Sequence, residues 1–303
     1  MKAAVIGIGS NSVRMLLCET ADGELRRLRR DRAGTRLFAG LDEERNLSAE
    51  AMAKSCAAVK TMAESARRDG AEAIHLFATS ATRDAANQAD FSALLLRETG
   101  LTLEICSGET EAALSFFGAT DGGDSGVIDI GGGSTEIIVG AGMTVQLGFS
   151  CQIGAVRLAG MTDIHSRQDL PAAQAAAAIV LEEALRRHPL PQQPAAWRGT
   201  GGTFTTLAAI VRGVPWTDRT NMHGTVLRRS DVRRLAAELA DMPIEARKSL
   251  PGLQPNRADI IVHGICILLA CMDKLGMEQI TVSEYGNLDG YIKWRYLLKD
   301  HAQ

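Results

Sequence analysis

Ala4-Val5-Ile6-Gly7-Ile8-Gly9-Ser10-Asn11-Ser12-Val13-Arg14 decides the reading of this chain, because it returns as Gly126-Val127-Ile128-Asp129-Ile130-Gly131-Gly132-Gly133-Ser134-Thr135-Glu136 at a constant offset. Each copy runs an apolar strand into a turn of small and hydroxyl-bearing residues. Each then returns to an apolar run, Met15-Leu16-Leu17 in the first and Ile137-Ile138-Val139 in the second. That pattern predicts a β-hairpin with a tight tip. Small residues let successive backbone N–H groups point outward together, which suits them to hold phosphate oxygens. Two such hairpins predict two related domains with a site clamped between them. The second copy carries Asp129 where the first has Gly7.

At 303 residues, 46% of them apolar, the chain can fill two ordinary domains. A net charge of −3 and a pI of about 6.1 leave no overall basic footprint for nucleic acid. Cys18, Cys56, Cys106, Cys151, Cys266 and Cys271 are scattered, with no Cys-x-x-Cys. That argues against a zinc site or disulfide framework and for a reducing compartment. No apolar run reaches membrane-spanning length and no leader pattern precedes the first strand, so the expectation is a soluble, cytoplasmic protein.

The first unit reads as strand, hairpin, strand and a long helix. That helix starts at Ser48, an N-cap, carries Arg67 and Arg68 in its last turn, and stops at Gly70. Residues 73–78 and 101–106 read as strands, 79–84 as a polar turn, and Ser107-Gly108 opens another helix. Asp121-Gly122-Gly123-Asp124-Ser125 is free of apolar side chains and precedes the restart of the repeat, which predicts domains at 1–122 and 123–303. The second unit continues with an Ala-rich helix over 171–187 and a strand end leading into Gly199-Thr200-Gly201-Gly202-Thr203. A mostly helical last third follows, with a strand near 279–283 and a closing helix from Gly290. Strands and helices mix in both halves, so the class is α/β.

The turn after Asp129 has the sharpest chemistry. A carboxylate at a strand end, three glycines and two hydroxyls place an anion beside a cradle of backbone donors, able to hold Mg2+ and phosphate oxygens. A plain hairpin needs only one or two glycines. In the first copy Ser10, Asn11 and Ser12 can donate to phosphate and Arg14 adds a cation. The Gly-rich segment 199–203, before a helix, is a third phosphate-suited turn. Glu109 and Glu111 begin a helix, where acidic residues are stabilising anyway, yet either is a candidate general base. Arg83 can grip phosphate or simply face solvent at a helix start. The run Arg26, Arg27, Arg29, Arg30, Arg32, Arg36 reads as a solvated strand face. The histidines show no metal-ligand spacing, and His263 reads as packed on a helix.

Taken together, these segments resemble the exopolyphosphatase / guanosine pentaphosphate phosphohydrolase family of the acetate and sugar kinase, Hsp70 and actin superfamily. The carriers are Gly9-Ser10-Asn11-Ser12-Val13-Arg14, Thr79-Ser80-Ala81-Thr82-Arg83, Ser107-Gly108-Glu109-Thr110-Glu111-Ala112, the loop from Asp129 to Glu136, Gly201-Gly202-Thr203, His223-Gly224 and Leu250-Pro251-Gly252-Leu253-Gln254-Pro255-Asn256-Arg257-Ala258-Asp259. The resemblance implies two actin-like (ribonuclease H-like) α/β domains with a cleft between them. It implies release of terminal phosphate from inorganic polyphosphate or pppGpp with Mg2+, and a homodimer. By it Glu111 activates the attacking water, while Asp129 and Glu136 complete the catalytic set and hold the metal. Ser10, Asn11, Ser12, Arg14, Arg83, Gly131, Gly132, Gly133, Ser134, Thr135, Gly201 and Gly202 bind substrate. The chain departs from the family pattern at Gly7, usually Asp, at Leu288, usually Arg, and at Ala113, often Arg. A polyphosphate- or ppGpp-binding sensor and a small-molecule kinase of the same superfamily are the alternatives.

Overall fold

The computed structural model describes residues 1–21, 23–42, 44–120, 123–218 and 221–297. The chain forms two compact units: Met1–Gly118 together with the segment from Asn287 onward, and Ala119–Gly286. The expected boundary at 122/123 therefore lies close to the observed one. The expectation that everything after it belongs to the second domain does not hold, because the C-terminal segment returns to the first unit. Within the expected linker, Asp121 and Gly122 lie outside the described residues, and Gly123 leads directly into a strand.

In the first unit, β1 (Lys2–Ile8), β2 (Ser12–Ala21), β3 (Glu24–Gly34), β4 (Ala73–Ala78) and β5 (Leu103–Ile105) form a sheet of order β3-β2-β1-β4-β5. β1–β2 and β2–β3 are antiparallel; β1–β4 and β4–β5 are parallel. The helices are α1 (Ala49–Arg68), α2 (Ser80–Arg83), α3 (Gln88–Thr99) and α4 (Gly108–Ala119). Ser48 caps α1 as expected, its side chain accepting from Ala51 N. Val59, Met62 and Ala63 of α1, with Phe91 and Leu95 of α3, bury one face of the sheet against Ala4, Ile6 and Ile8. β3 carries the arginine run that reads as a strand face.

In the second unit, β6 (Asp124–Ile130), β7 (Thr135–Ala141), β8 (Thr144–Cys151), β9 (Ala196–Thr200), β10 (Val226–Arg228) and β11 (Gln279–Val282) form the order β10-β11-β9-β6-β7-β8. Apart from the edge strand β10, this repeats the first sheet. The register repeats too: Gly7 pairs with Arg14 as Asp129 pairs with Glu136. α5 (Ala155–Ala159), α6 (Leu170–Arg187), α7 (Gly202–Arg212), α8 (Arg229–Asp241), α9 (Ile244–Lys248) and α10 (Ile261–Lys274) accompany it. α10 is buried from Ile261 through Met272, His263 included, so it forms the centre of this core. Among the described residues, no helix is long and apolar enough to cross a membrane.

The C-terminal α11 (Asn287–Ile292) docks on the other face of the first sheet, with Leu288, Tyr291 and Ile292 packed on Ala3, Val5, Leu16, Cys18 and Phe77. Its Asp289 is buried and accepts from Arg27 Nε at 2.6 Å and from Arg30 Nη2 at 2.7 Å. Arg29 pairs with Asp31 and Asp69. Part of the arginine run is thus a clasp for the returning chain rather than a solvated face. Asp289→Ala, which strips the buried carboxylate from two guanidinium partners, is expected to cost about 3 kcal/mol of stability, read by urea denaturation.

All six cysteines are free and buried. Burial pushes the thiols of Cys18, Cys106, Cys151 and Cys266 up to about 12. The thiolate is the reactive form, so at pH 8 the folded protein is expected to resist iodoacetamide while the urea-unfolded chain alkylates within minutes. Mass spectrometry of the labelled protein checks this.

Candidate active site

The first phosphate turn lies between β1 and β2, closed by Gly9 N donating to Ser12 O at 3.0 Å. Ser10, Asn11 and Ser12 are all buried. Ser10 Oγ is 3.0 Å from Ser80 Oγ, which ties this turn to the start of α2. Asn11 Nδ2 is a buried amide donor with no hydrogen-bond partner among the described residues. An orphaned buried donor is costly unless an acceptor oxygen meets it, so this atom favours an oxygen-rich ligand here. Arg14 Nη2 donates to Asn287 Oδ1 at 3.2 Å, so the returning C-terminal segment orients the cation of this turn.

α2 carries Arg83 and α4 carries Glu111. Arg83 Nη1 donates to Glu111 Oε2 at 3.0 Å and to Cys106 O at 3.0 Å. Glu111 is 6% exposed, whereas Glu109 lies exposed on the same turn. Spacing alone left the two glutamates equal. Burial and the guanidinium partner single out Glu111, with Arg83 fixing where one of its oxygens points. Ser107 Oγ accepts from Thr110 N at 3.1 Å and caps the helix that presents it.

The second turn joins β6 and β7 and repeats the first, with Gly131 N donating to Ser134 O at 2.9 Å. Asp129 and Glu136 are cross-strand partners, both buried, and Glu136 Oε1 accepts from Ser150 Oγ at 2.8 Å. Cross-strand partners project from the same face of a sheet, so two carboxylates share one patch. Oxygen donors of this kind fit Mg2+, which takes one or two carboxylates and completes its shell with water and substrate phosphate. Among the described residues, no group of three or more His, Cys, Asp or Glu gathers into a protein-only metal cage. Thr135 departs from expectation. It is fully buried and its hydroxyl proton goes to Ile153 O at 2.6 Å. It holds the strand after the turn and has no proton left for phosphate.

Gly201 and Gly202 open α7 beside this second turn. Gly201 has φ +94°, and a Cβ there would stand 2.6 Å from Asp129 Oδ1, so only glycine fits. At Gly202 a Cβ would lie 1.9 Å from Arg257 Cζ. The Arg257 guanidinium therefore rests on the backbone at the start of α7, adding a cation to a helix N-terminus. Single-residue reading missed Arg257, although it stands in the quoted segment Gln254-Pro255-Asn256-Arg257.

A model of the Ppx/GppA phosphatase family matches residues 16–296. The chain belongs to that family. Among its relatives, Exopolyphosphatase 2 of Mycobacterium tuberculosis is 34% identical over 310 residues, covering 95% of this chain and 97% of the relative. The crystal structure of the Ppx/GppA family member from Aquifex aeolicus matches with a TM-score of 0.83 at 26% identity, over 100% of this chain and 99% of that one. An exopolyphosphatase from Cytophaga hutchinsonii shares the fold, with a TM-score of 0.87 at 24% identity over 100% and 99% of the two chains. The Ppx/GppA likeness spans both units, and the fold is of the actin-like α/β class that the family resemblance implies.

Within the Ppx/GppA pattern, Gly7 is the position where this chain's own packing is most informative. A Cβ on Gly7 would stand 2.9 Å from Leu288 Cδ2 and 3.0 Å from Phe77 Cζ. Two of the three expected departures, Gly7 and Leu288, therefore lie against each other, Leu288 and Phe77 belonging to one apolar cluster.

Proposed function

We propose that this protein is a phosphoanhydride hydrolase that releases terminal phosphate from inorganic polyphosphate, with pppGpp as a second substrate. The observation that carries this reading is the buried Glu111, held 3.0 Å from Arg83 on a segment tied through Ser80 to the first phosphate turn. Family membership and the name of the Mycobacterium tuberculosis relative support it. In the proposed step Glu111 accepts a proton from water. The water oxygen bonds to the terminal phosphorus as the P–O bond to the chain breaks, and the shortened chain keeps that oxygen as an anion. Within the second unit the N–H groups of its turn, with Arg257, hold phosphate oxygens as charge shifts among them; by the family resemblance the first turn and Arg14 also bind phosphate.

Asp129 and Glu136 are the residues proposed to hold Mg2+, which when bound neutralises charge on phosphate oxygens. The family resemblance supports a homodimer, while the scattered cysteines and the slightly negative net charge support a cytoplasmic protein that does not bind nucleic acid. A sensor that binds polyphosphate or ppGpp without turnover is the second reading, favoured by the apolar surroundings of Gly7. The deciding experiment measures phosphate release from long-chain polyphosphate and from pppGpp, with Mg2+ and with EDTA. Mg2+-dependent release is expected, polyphosphate being the faster substrate. Tight binding without release assigns the sensor.

A further inference from the structure

The carbonyl side of the second phosphate turn is unusually well occupied. Ala155 N donates to Gly131 O at 2.9 Å, and Val156 N and Arg157 N donate to Gly132 O at 2.8 and 3.1 Å. Arg157 Nε donates to Gly133 O at 2.8 Å, while its Nη2 donates to Gln152 Oε1 at 3.0 Å. In a planar trans peptide the carbonyl and the next N–H point in opposite directions. Tying back three successive carbonyls therefore turns the N–H groups of Gly132, Gly133 and Ser134 the other way together. Gly154 permits the close approach, since a Cβ there would stand 2.5 Å from Gly132 C and O.

The carbonyls of the first turn are tied back by backbone donors. Phe38 N donates to Ser10 O at 2.9 Å, and Thr35 N and Arg36 N both donate to Asn11 O, at 3.2 and 3.1 Å. Arg36 adopts a left-handed conformation, φ 53° and ψ 40°, as part of that arrangement. Asn11 and Gly133 are equivalent in the repeat. What two backbone donors do for the Asn11 carbonyl, one guanidinium does for the Gly133 carbonyl.

We propose that Arg157 is the positioning residue of the second phosphate turn, holding the Gly133 carbonyl back so that the N–H groups face phosphate. The proposal rests on the reading of this turn as a phosphate site. Arg157 is half-buried and itself touches no substrate in this scheme. Turn donors misaligned in the free enzyme weaken ground-state and transition-state binding alike, so the effect falls on KM. Arg157→Ala is expected to raise KM for polyphosphate at least tenfold (order of magnitude for a lost charge-assisted contact), with kcat changed less than about threefold. Arg157→Lys keeps a donor but not the planar fork, and is expected to fall between the two.

Peptide-level hydrogen exchange over residues 131–134 gives a readout that needs no turnover, and faster exchange in Arg157→Ala is expected. A folded Arg157→Ala with KM within twofold of wild type and unchanged exchange at the turn overturns the proposal. If Arg157→Ala does not fold, Arg157→Lys carries the same two measurements, with wild-type KM and exchange overturning it. A wild type that releases no phosphate from polyphosphate or pppGpp overturns the functional reading instead. The exchange comparison then still decides the role of Arg157, faster exchange supporting it and unchanged exchange overturning it.

Discussion

Glu111→Gln is expected to lower kcat for phosphate release by about 10³-fold, in the usual range for loss of a general base. KM should change less than threefold, because phosphate is held by the turns and not by this carboxylate. Stability should stay within about 1 kcal/mol of wild type, since the amide oxygen can still accept from Arg83 and the side chain keeps its volume. Steady-state kinetics with a urea denaturation control separates the two. Equal release by wild type and Glu111→Gln would remove Glu111 from the mechanism. A variant that loses both activity and stability would assign the Arg83 contact to the fold instead.

The second large effect is expected at Gly7. Gly7→Asp would push a carboxylate against Leu288 and Phe77, whose atoms stand 2.9 and 3.0 Å from the new Cβ. Arg14 is the cross-strand neighbour of Gly7 and can partner the new carboxylate, so the cost is that of overpacking against Leu288 and Phe77, and a loss of about 1 to 3 kcal/mol is expected. Restoring the family's residue in the first turn therefore does not improve the enzyme by itself. Adding Leu288→Arg supplies a guanidinium at the contact, and the double variant is expected to recover at least half of the loss. Urea midpoints of the two single variants and the double variant complete the cycle. A Gly7→Asp protein as stable as wild type would show that the pocket opens freely and that the apolar contact is incidental.

These two sites show how far local pattern carries. The repeat specified both hairpins, their tips and even the equivalence of Gly7 with Asp129, because turn chemistry and strand alternation are written in consecutive residues. The cap at Ser48 and the Ala-rich α6 were legible for the same reason. The arginine run of β3 was legible as a strand face but its partners were not, since its ion pairs lie with Asp289 and Asp69, far away in sequence. Spacing does not separate Glu111 from Glu109; the family resemblance points to Glu111, and burial, a property of packing, supports that choice. Arg257 and Arg157 became visible only as contacts with glycine backbones. Thr135 left the set of phosphate donors only once the partner of its hydroxyl was known.

By itself, then, the sequence determined that this protein has two related α/β units, each with a glycine- and hydroxyl-rich turn, and it pointed to phosphate chemistry. Tertiary structure alone decided that the chain's end returns to the first unit. There Leu288 fills the space at Gly7, Asn287 accepts from Arg14, and Asp289 joins Arg27 and Arg30. The physical reason is sequence separation. A turn is set by interactions among neighbours, so its residues announce it. A buried pair assembled from opposite ends of the chain is set by the packing of whole elements, and neither residue carries the identity of its partner.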